Sequence, residues 1–287
     1  MVRGGFNGCT ALTKIEIPNS VTSIGNSAFK YCTALETIEI PNSVTSSIGI
    51  FMFQGCSSLT KIEIPNSVTS IGELAFWNCS SLTEIVIPNS VTSIGVGAFN
   101  GCTALTKIEI PDSVTSIEKE TFADCNSLTE IVIPNSVTSI GKEAFYDCRS
   151  LTEIVIPNSV TSIGVRAFYD CRSLTEIVIP NSVTSIGKEA FFGCDSLTEM
   201  ELLSDTIKYD IGYYTLKKLV LGASVAKIDV SLPSIEELYC YAKTPPALKY
   251  GFDDNYKFVL YVPKESVDAY KQKWCGNAEN ITIKAIE

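Results

Sequence analysis

The chain of 287 residues carries 11 cysteines and no histidine. Nine of the thiols, Cys9, Cys32, Cys56, Cys79, Cys102, Cys125, Cys148, Cys171 and Cys194, follow one another at 23-residue intervals, with one interval of 24 where Ser46-Ser47 adds a residue. Thiols in number suggest metal binding or disulfides. Their count is odd, no C-x-x-C occurs, and all nine hold one repeated slot. In-register side chains point the same way, which is poor disulfide geometry even at a Cα spacing of about 5 Å. Cysteine also behaves as a small buried hydrophobe, so the expectation is a reduced, buried ladder. Without histidine there is no Ser-His-Asp or Cys-His arrangement and no imidazole ligand for zinc.

Carboxylates recur with the same period. Glu84, Glu130, Glu153 and Glu176 are each followed two residues later by a valine (Val86, Val132, Val155, Val178), and Glu199 continues the row. Like charges about 5 Å apart repel, so such a row calls for a counter-ion or a reason. One reading is an acidic, partly apolar strip that binds a basic protein segment; the other is an exposed unit multiplied by duplication, since charged rows are usually solvated faces. A second strip contains Tyr146-Asp147, Tyr169-Asp170 and Phe192, with Trp77 further up. Exposed rings on adjacent rungs suit protein or sugar; alternatively they pack over the neighbouring loops. No carboxylate pair stands in a recognisable catalytic context, so neither a catalytic residue nor a metal or other cofactor is assigned.

The element that must position these residues is the repeat. Its best-kept unit is Leu151 to Ser173, LTEIVIPNSVTSIGVRAFYDCRS. Counting slots from the leucine, L-x-x-I-x-I in slots 1 to 6 predicts a short strand, with slots 4 and 6 inward and slots 3 and 5 outward. Proline at slot 7, from Pro18 to Pro180, suits a strand end because it donates no N–H. Asn-Ser at slots 8 and 9 is turn chemistry. Val and Ile at slots 10 and 13 predict a second extended segment. Slot 14 is glycine from Gly25 to Gly187, except at Glu118. The pattern predicts a positive φ there and a strained or rearranged rung at Glu118. Slot 20 is Gly, Asn or Asp almost throughout, residues that tolerate left-handed geometry, with Tyr31 breaking the pattern.

Twenty-three residues cannot enclose their own apolar slots, but stacked copies can. The fold expected is an α/β solenoid: a right-handed leucine-rich-repeat-like stack with a parallel β-sheet, mostly strand and turn with short helical loops, and a C-terminal cap.

The units AFxxCxxLxxIxIPxSVxxIG, from residue 5 to about 199, resemble the BspA-like bacterial surface leucine-rich repeats of the Treponema pallidum type. That resemblance implies an exported, cell-surface protein and a protein-binding or adhesion role; no enzyme activity is expected, because the irregular 200–287 region holds no catalytic constellation. It also implies protein partners such as host matrix components or another surface protein.

Three parts are expected: regular repeats over 1–199, the first incomplete; shorter, degenerate repeats over 200–242; and a cap over 243–287. In the middle part Leu216-x-x-Leu219-x-Leu221 and Ile235-x-x-Leu238-x-Cys240 repeat the strand 19 residues apart. Thr244-Pro245-Pro246 is a break. Phe258 to Pro263 is a strand that enters a helix capped by Ser266, with Val267, Tyr270 and Trp274 on its apolar face. Ile281, Ile283 and Ile286 mark a closing strand. The phrase TPPAL…LYVPKESVDAYKQKW resembles the carboxyl-terminal end of the same family. Phe6 and Cys9 place Met1 in mid-rung, which predicts an open first rung, hence a fragment of a longer precursor or an end available for self-association.

The formal net charge of -10 and pI near 4.7 argue against binding to nucleic-acid phosphates. The acidity is local: residues 1–199 carry 11 Lys+Arg against 20 Asp+Glu, and 200–287 carry 11 against 12. No apolar run approaches the roughly 18 residues of a membrane span. The first residues lack the apolar core of a signal peptide. Gly95-x-Gly97 is the slot-14 glycine rather than a nucleotide loop, Asp253-Asp254-Asn255 lacks calcium-loop spacing, and the sequons at Asn78 and Asn280 carry no weight alone.

Overall fold

The computed structural model describes residues 5–208, 215–252, 255, 257–275 and 280–286. The Asp253-Asp254 part of the acidic triplet lies outside the described residues.

Each repeat contributes one rung, and corresponding slots of successive rungs lie side by side in parallel register. The L-x-x-I-x-I segments form the front row of strands. One sheet joins Lys14–Ile15, Thr37–Glu39, Lys61–Glu63, Glu84–Val86, Lys107–Glu109 and Glu130–Val132; a second joins Glu176–Ile179, Glu199–Leu202, Thr215–Leu221, Ser234–Cys240, Phe258–Pro263 and Ile281–Ile286. The alternation is as expected from a period of two: in Glu130–Val132 the outer residues are exposed and Ile131 is buried. A second row of two-residue strands, such as Ser139–Ile140 and Ser162–Ile163, lies behind the proline turn. That turn is closed locally, as where the Val160 N–H donates to the Pro157 carbonyl at 3.0 Å. The slot-9 serine ties it to the rung before, Ser159 Oγ donating to the Val137 carbonyl at 2.6 Å.

The interior is a set of columns. Phenylalanines from Phe6 to Phe191 stack in one line with centroids 5.3–5.7 Å apart, all buried except Phe6 in the first rung. Beside them runs the thiol column. Cys32 to Cys194 are buried and unpaired, and each Sγ donates to the carbonyl of the Phe one rung back, 3.1–3.3 Å away. Burial pushes these thiols up, Cys56 and Cys194 to about 12. The ladder is therefore reduced and buried with one correction: Cys9, in the first rung, is exposed.

The slot-14 glycines do not have positive φ. They are needed for close approach instead. A Cβ on Gly95 would stand 2.7 Å from the Gly72 carbonyl carbon, and one on Gly141 would stand 2.6 Å from that of Glu118. The left-handed positions are slot 20, including Tyr31 (φ 59), and also slot 16, from Ser27 to Glu189. Two left-handed residues four apart interrupt any helical run, so the Ala-Phe loops are turns and not the short helices expected. Among the described residues helix occurs only at the carboxyl end: a 3-10 turn Lys264–Ser266, an α-turn Val267–Tyr270 and a π-turn Lys271–Cys275.

Two rungs depart from the rest. The second row is interrupted between Ser93–Ile94 and Ser116–Ile117, where Glu118 places a Cβ in the glycine column. Its carboxylate accepts from Ser116 Oγ at 2.6 Å, so that rung is rearranged, as its sequence suggested. The front row is interrupted at Glu153 to Ile156, which forms no strand between Glu130–Val132 and Glu176–Ile179.

At the carboxyl end the helical segment lies over the break at Pro245-Pro246. Lys273 Nζ donates to the Pro245 carbonyl at 2.7 Å and Trp274 Nε1 to that of Pro246 at 2.9 Å. Tyr270 is fully buried, its hydroxyl donating to the Ala242 carbonyl at 2.7 Å. Ser266 occupies the position before the α-turn but does not cap it, because its hydroxyl donates to the Lys243 carbonyl at 2.6 Å.

Candidate functional site

The outward slots of the front row make one face, and the parallel register puts its side chains in columns. Slot 3 of successive rungs holds Glu130, Glu153, Glu176, Glu199, Lys218 and Glu237, and slot 5 holds Val132, Val155, Val178, Glu201, Val220 and Tyr239. The column of glutamates exists as expected, but its charges are not equivalent. Glu84 pairs with Lys61 of the preceding rung at 3.1 Å, Glu130 with Lys107 at 2.9 Å, and Glu199 with Lys218 of the following rung at 3.5 Å. Those carboxylates hold the Lys61 and Lys107 ammonium groups above their ordinary value. Glu153 and Glu176, in between, have no ion pair among the described residues. The unpaired stretch includes the rung where the front sheet is interrupted. Repulsion between neighbouring carboxylates acts directly across that break.

Beside the carboxylates stand valines that cover nothing. Val132, Val155 and Val178 are 66%, 77% and 45% exposed. A shallow concavity follows the interruption, lined by Glu130, Val132, Glu153 and Val155 with Ile131 and Ile154 at its floor. Chemically this stretch of the face offers the carboxylates of Glu153 and Glu176 beside a row of small apolar groups.

The predicted aromatic strip is brought together only in part. Tyr146, Tyr169 and Phe192 stack in sequence at 5.1 Å, and the Arg166 guanidinium lies 5.5 Å from the Tyr169 centroid. Both tyrosines are half-buried and Phe192 is 45% exposed. Trp77, also half-buried, stands three rungs away and takes no part in that stack. Beside the rings Asp147 is gripped by Arg149 through two contacts of 2.6 and 2.8 Å. Burial, and then the neighbouring Asp147 charge, raise the Asp124 carboxyl above its ordinary value. The facing sides of the three rings are occupied by one another, which leaves Phe192, at the end of the stack, as the most exposed of them.

One group on the front face was not singled out from the sequence. Tyr239 and Tyr261 stack at 4.3 Å, and both hydroxyls donate to Glu237 at 3.3 Å. Lys218 and Lys284 lie over the outer faces of the pair. The signal was available: once the strand repeat is shortened to 19 residues, Tyr239 falls in slot 5, two residues after Glu237.

Among the described residues no group of three or more Cys, Asp or Glu is arranged to hold a metal ion, and no helix is long and apolar enough to cross a membrane.

Parallel rungs, a strand face in register columns and a capped apolar end define a leucine-rich-repeat solenoid. The chain belongs to the BspA type leucine rich repeat family, whose model matches residues 3–129 and 115–236 in six copies. Among solved structures it is similar to a leucine-rich repeat protein from Bacteroides ovatus, with 28% identity and a TM-score of 0.65 over 100% of this chain and 87% of that one. It is also similar to the Treponema pallidum leucine rich repeat protein, with 31% identity and a TM-score of 0.53 over 56% of this chain and 78% of that one. No curated protein matches it.

Proposed function

We propose that this chain is a non-enzymatic protein-binding and adhesion scaffold, the repeat region of an exported bacterial surface protein, and that its front face is where the partner docks. The observation that carries the reading is the pair of exposed, unpaired carboxylates, Glu153 and Glu176, beside the exposed Val155 and Val178. Elsewhere on the column Lys61, Lys107 and Lys218 neutralise neighbouring glutamates; here the anions are left to an external cation. Family membership supports an interaction scaffold and a surface location in the same direction.

The test is a solid-phase binding assay against host matrix proteins and other surface proteins, with Glu130, Glu153 and Glu176 changed to Lys. Loss of binding supports the face; unchanged binding removes it. A second reading, a spacer that presents another domain, has the unbroken Phe6 to Phe191 stack in its favour, since a continuous column suits a spacer. Replacing the repeats by an unrelated rod of equal length in the full gene product separates the two: a spacer survives the exchange and a binding face does not.

A further inference from the structure

We infer that the occupant of the front face is a basic amphipathic α-helix laid along the stack axis, with two cationic side chains one turn apart on Glu153 and Glu176 and an apolar row against Val132, Val155 and Val178. The inference rests on the binding role proposed above and adds the conformation and charge pattern of the partner.

The argument is one of spacing. The rungs that carry Glu130, Glu153 and Glu176 also carry Phe145, Phe168 and Phe191, whose centroids are 5.3 Å apart, and the neighbouring Tyr146 and Tyr169 are 5.1 Å apart. Those rings lie in the loops; on the front face neighbouring strands are about 4.8 Å apart and Tyr239 and Tyr261 stack at 4.3 Å, so a column there repeats at an interval slightly shorter than that of the loop rings. An extended segment running along the axis places same-side residues about 6.8 Å apart, so over two rungs it falls out of step by roughly 4 Å. Helical residues at i and i+3 or i+4 lie about 5–6 Å apart on a pitch of about 5.4 Å, which stays within roughly 1 Å of the rungs over the same distance. A segment laid across the stack, parallel to the strands, matches the spacing of slots 3 and 5 but meets one rung and one free carboxylate.

Charge sets the sign and the length of the contact. Glu130 is held by Lys107 and Glu199 by Lys218, and between them Glu153 and Glu176 have no ion pair among the described residues. An acidic partner is repelled by the same column. Val132, Val155 and Val178, all exposed, form a second column alongside the first. A helix about 10–12 Å across covers both columns at once. A helix with two Lys or Arg residues three or four apart, and Leu or Val on the adjoining stripe, meets all of these groups.

The experiment uses the full chain and two labelled peptides of identical composition, rich in Lys, Val and Ala. One has the lysines at i, i+4 and i+8 with valines on the adjoining stripe; the other alternates Lys and Val. Fluorescence anisotropy reads binding, and circular dichroism reads peptide helicity on mixing. The expected result is that the helix-patterned peptide binds more tightly and gains helicity. The double variant Glu153→Gln/Glu176→Gln should weaken it roughly five- to tenfold, Val155→Thr should weaken it as well, and Glu16→Gln/Glu39→Gln should not. Each variant is checked by its melting curve. Equal or tighter binding of the alternating peptide, still dependent on Glu153 and Glu176, overturns the helix while leaving the binding face in place. Binding of either peptide that ignores Glu153, Glu176 and Val155, or no binding of either, overturns the inference. The matrix-protein assay with the Lys variants then decides separately whether the face itself stands.

Discussion

A Cβ placed on Gly164 would stand 2.5 Å from the carbonyl carbon of Gly141, in the same slot one rung back. The contact repeats along the column, with Gly187 as close to Gly164. These glycines are spacers of zero width between backbones, not left-handed turns. Gly164→Ala is expected to lower stability by about 1–3 kcal/mol, because backbone cannot rotate away as a side chain would. Urea denaturation checks this, and a change below experimental error would remove the close-packing role.

The thiol column makes a prediction with a pH direction. Cys32 to Cys194 and Cys240 are buried, Cys275 is half-buried and Cys9 is exposed. A thiol reagent should label Cys9 first and Cys275 more slowly, and the others only after unfolding. Burial raises the folded-state value, for Cys56 and Cys194 from 9.0 to about 12. The unfolded chain therefore loses these protons first. Their contribution to stability is whole below about pH 9 and is lost as pH rises toward about 12. A melting temperature that falls across that window in wild type, and less in Cys56→Ala/Cys194→Ala, bears this out; equal slopes count against it.

Glu153→Lys is expected to tighten the fold while destroying the proposed site. A lysine there repeats the arrangement of Lys107 beside Glu130. The melting temperature should rise by roughly 1–2 °C at low salt, the gain fading as salt screens exposed pairs. Amide exchange at residues 153–156 should slow as the interrupted strand forms. Faster exchange in the variant would show that carboxylate repulsion is not what opens this rung.

At the other end, Tyr270→Phe removes a donor that serves the Ala242 carbonyl at 2.7 Å and touches Cys240 Sγ at 3.1 Å. The ring still fills its site, so the loss isolates the hydroxyl. A cost of about 1–3 kcal/mol is expected for a buried acceptor left without a partner. Calorimetry reads it, and a neutral result would mean that solvent reaches Ala242.

Much of the molecule was legible in the sequence because a fixed period says which residues share a column. Cys32 to Cys194, the inward Ile131 and Ile154, the left-handed slot 20 and the rearranged rung at Glu118 all follow from spacing and residue type. The glycine column did not, because Gly serves both positive φ and close approach, and sequence alone does not separate the two. The loops were expected to be helical because the left-handed slot 16, apart from Gly97, is filled by Ser, Phe, Leu, Glu and Arg, none of which advertises that conformation. Tyr239 and Tyr261 escaped because their rungs keep the register while losing the period.

By itself, then, the sequence determined the stack, its buried columns and the row Glu130, Glu153, Glu176, Glu199. Only the tertiary structure decided which of those glutamates are free. Lys107 and Lys218 lie 23 residues before Glu130 and 19 after Glu199, and become neighbours only through stacking. Periodicity specifies direction, but charge balance depends on distance across rungs, and that distance exists only once the rungs are packed.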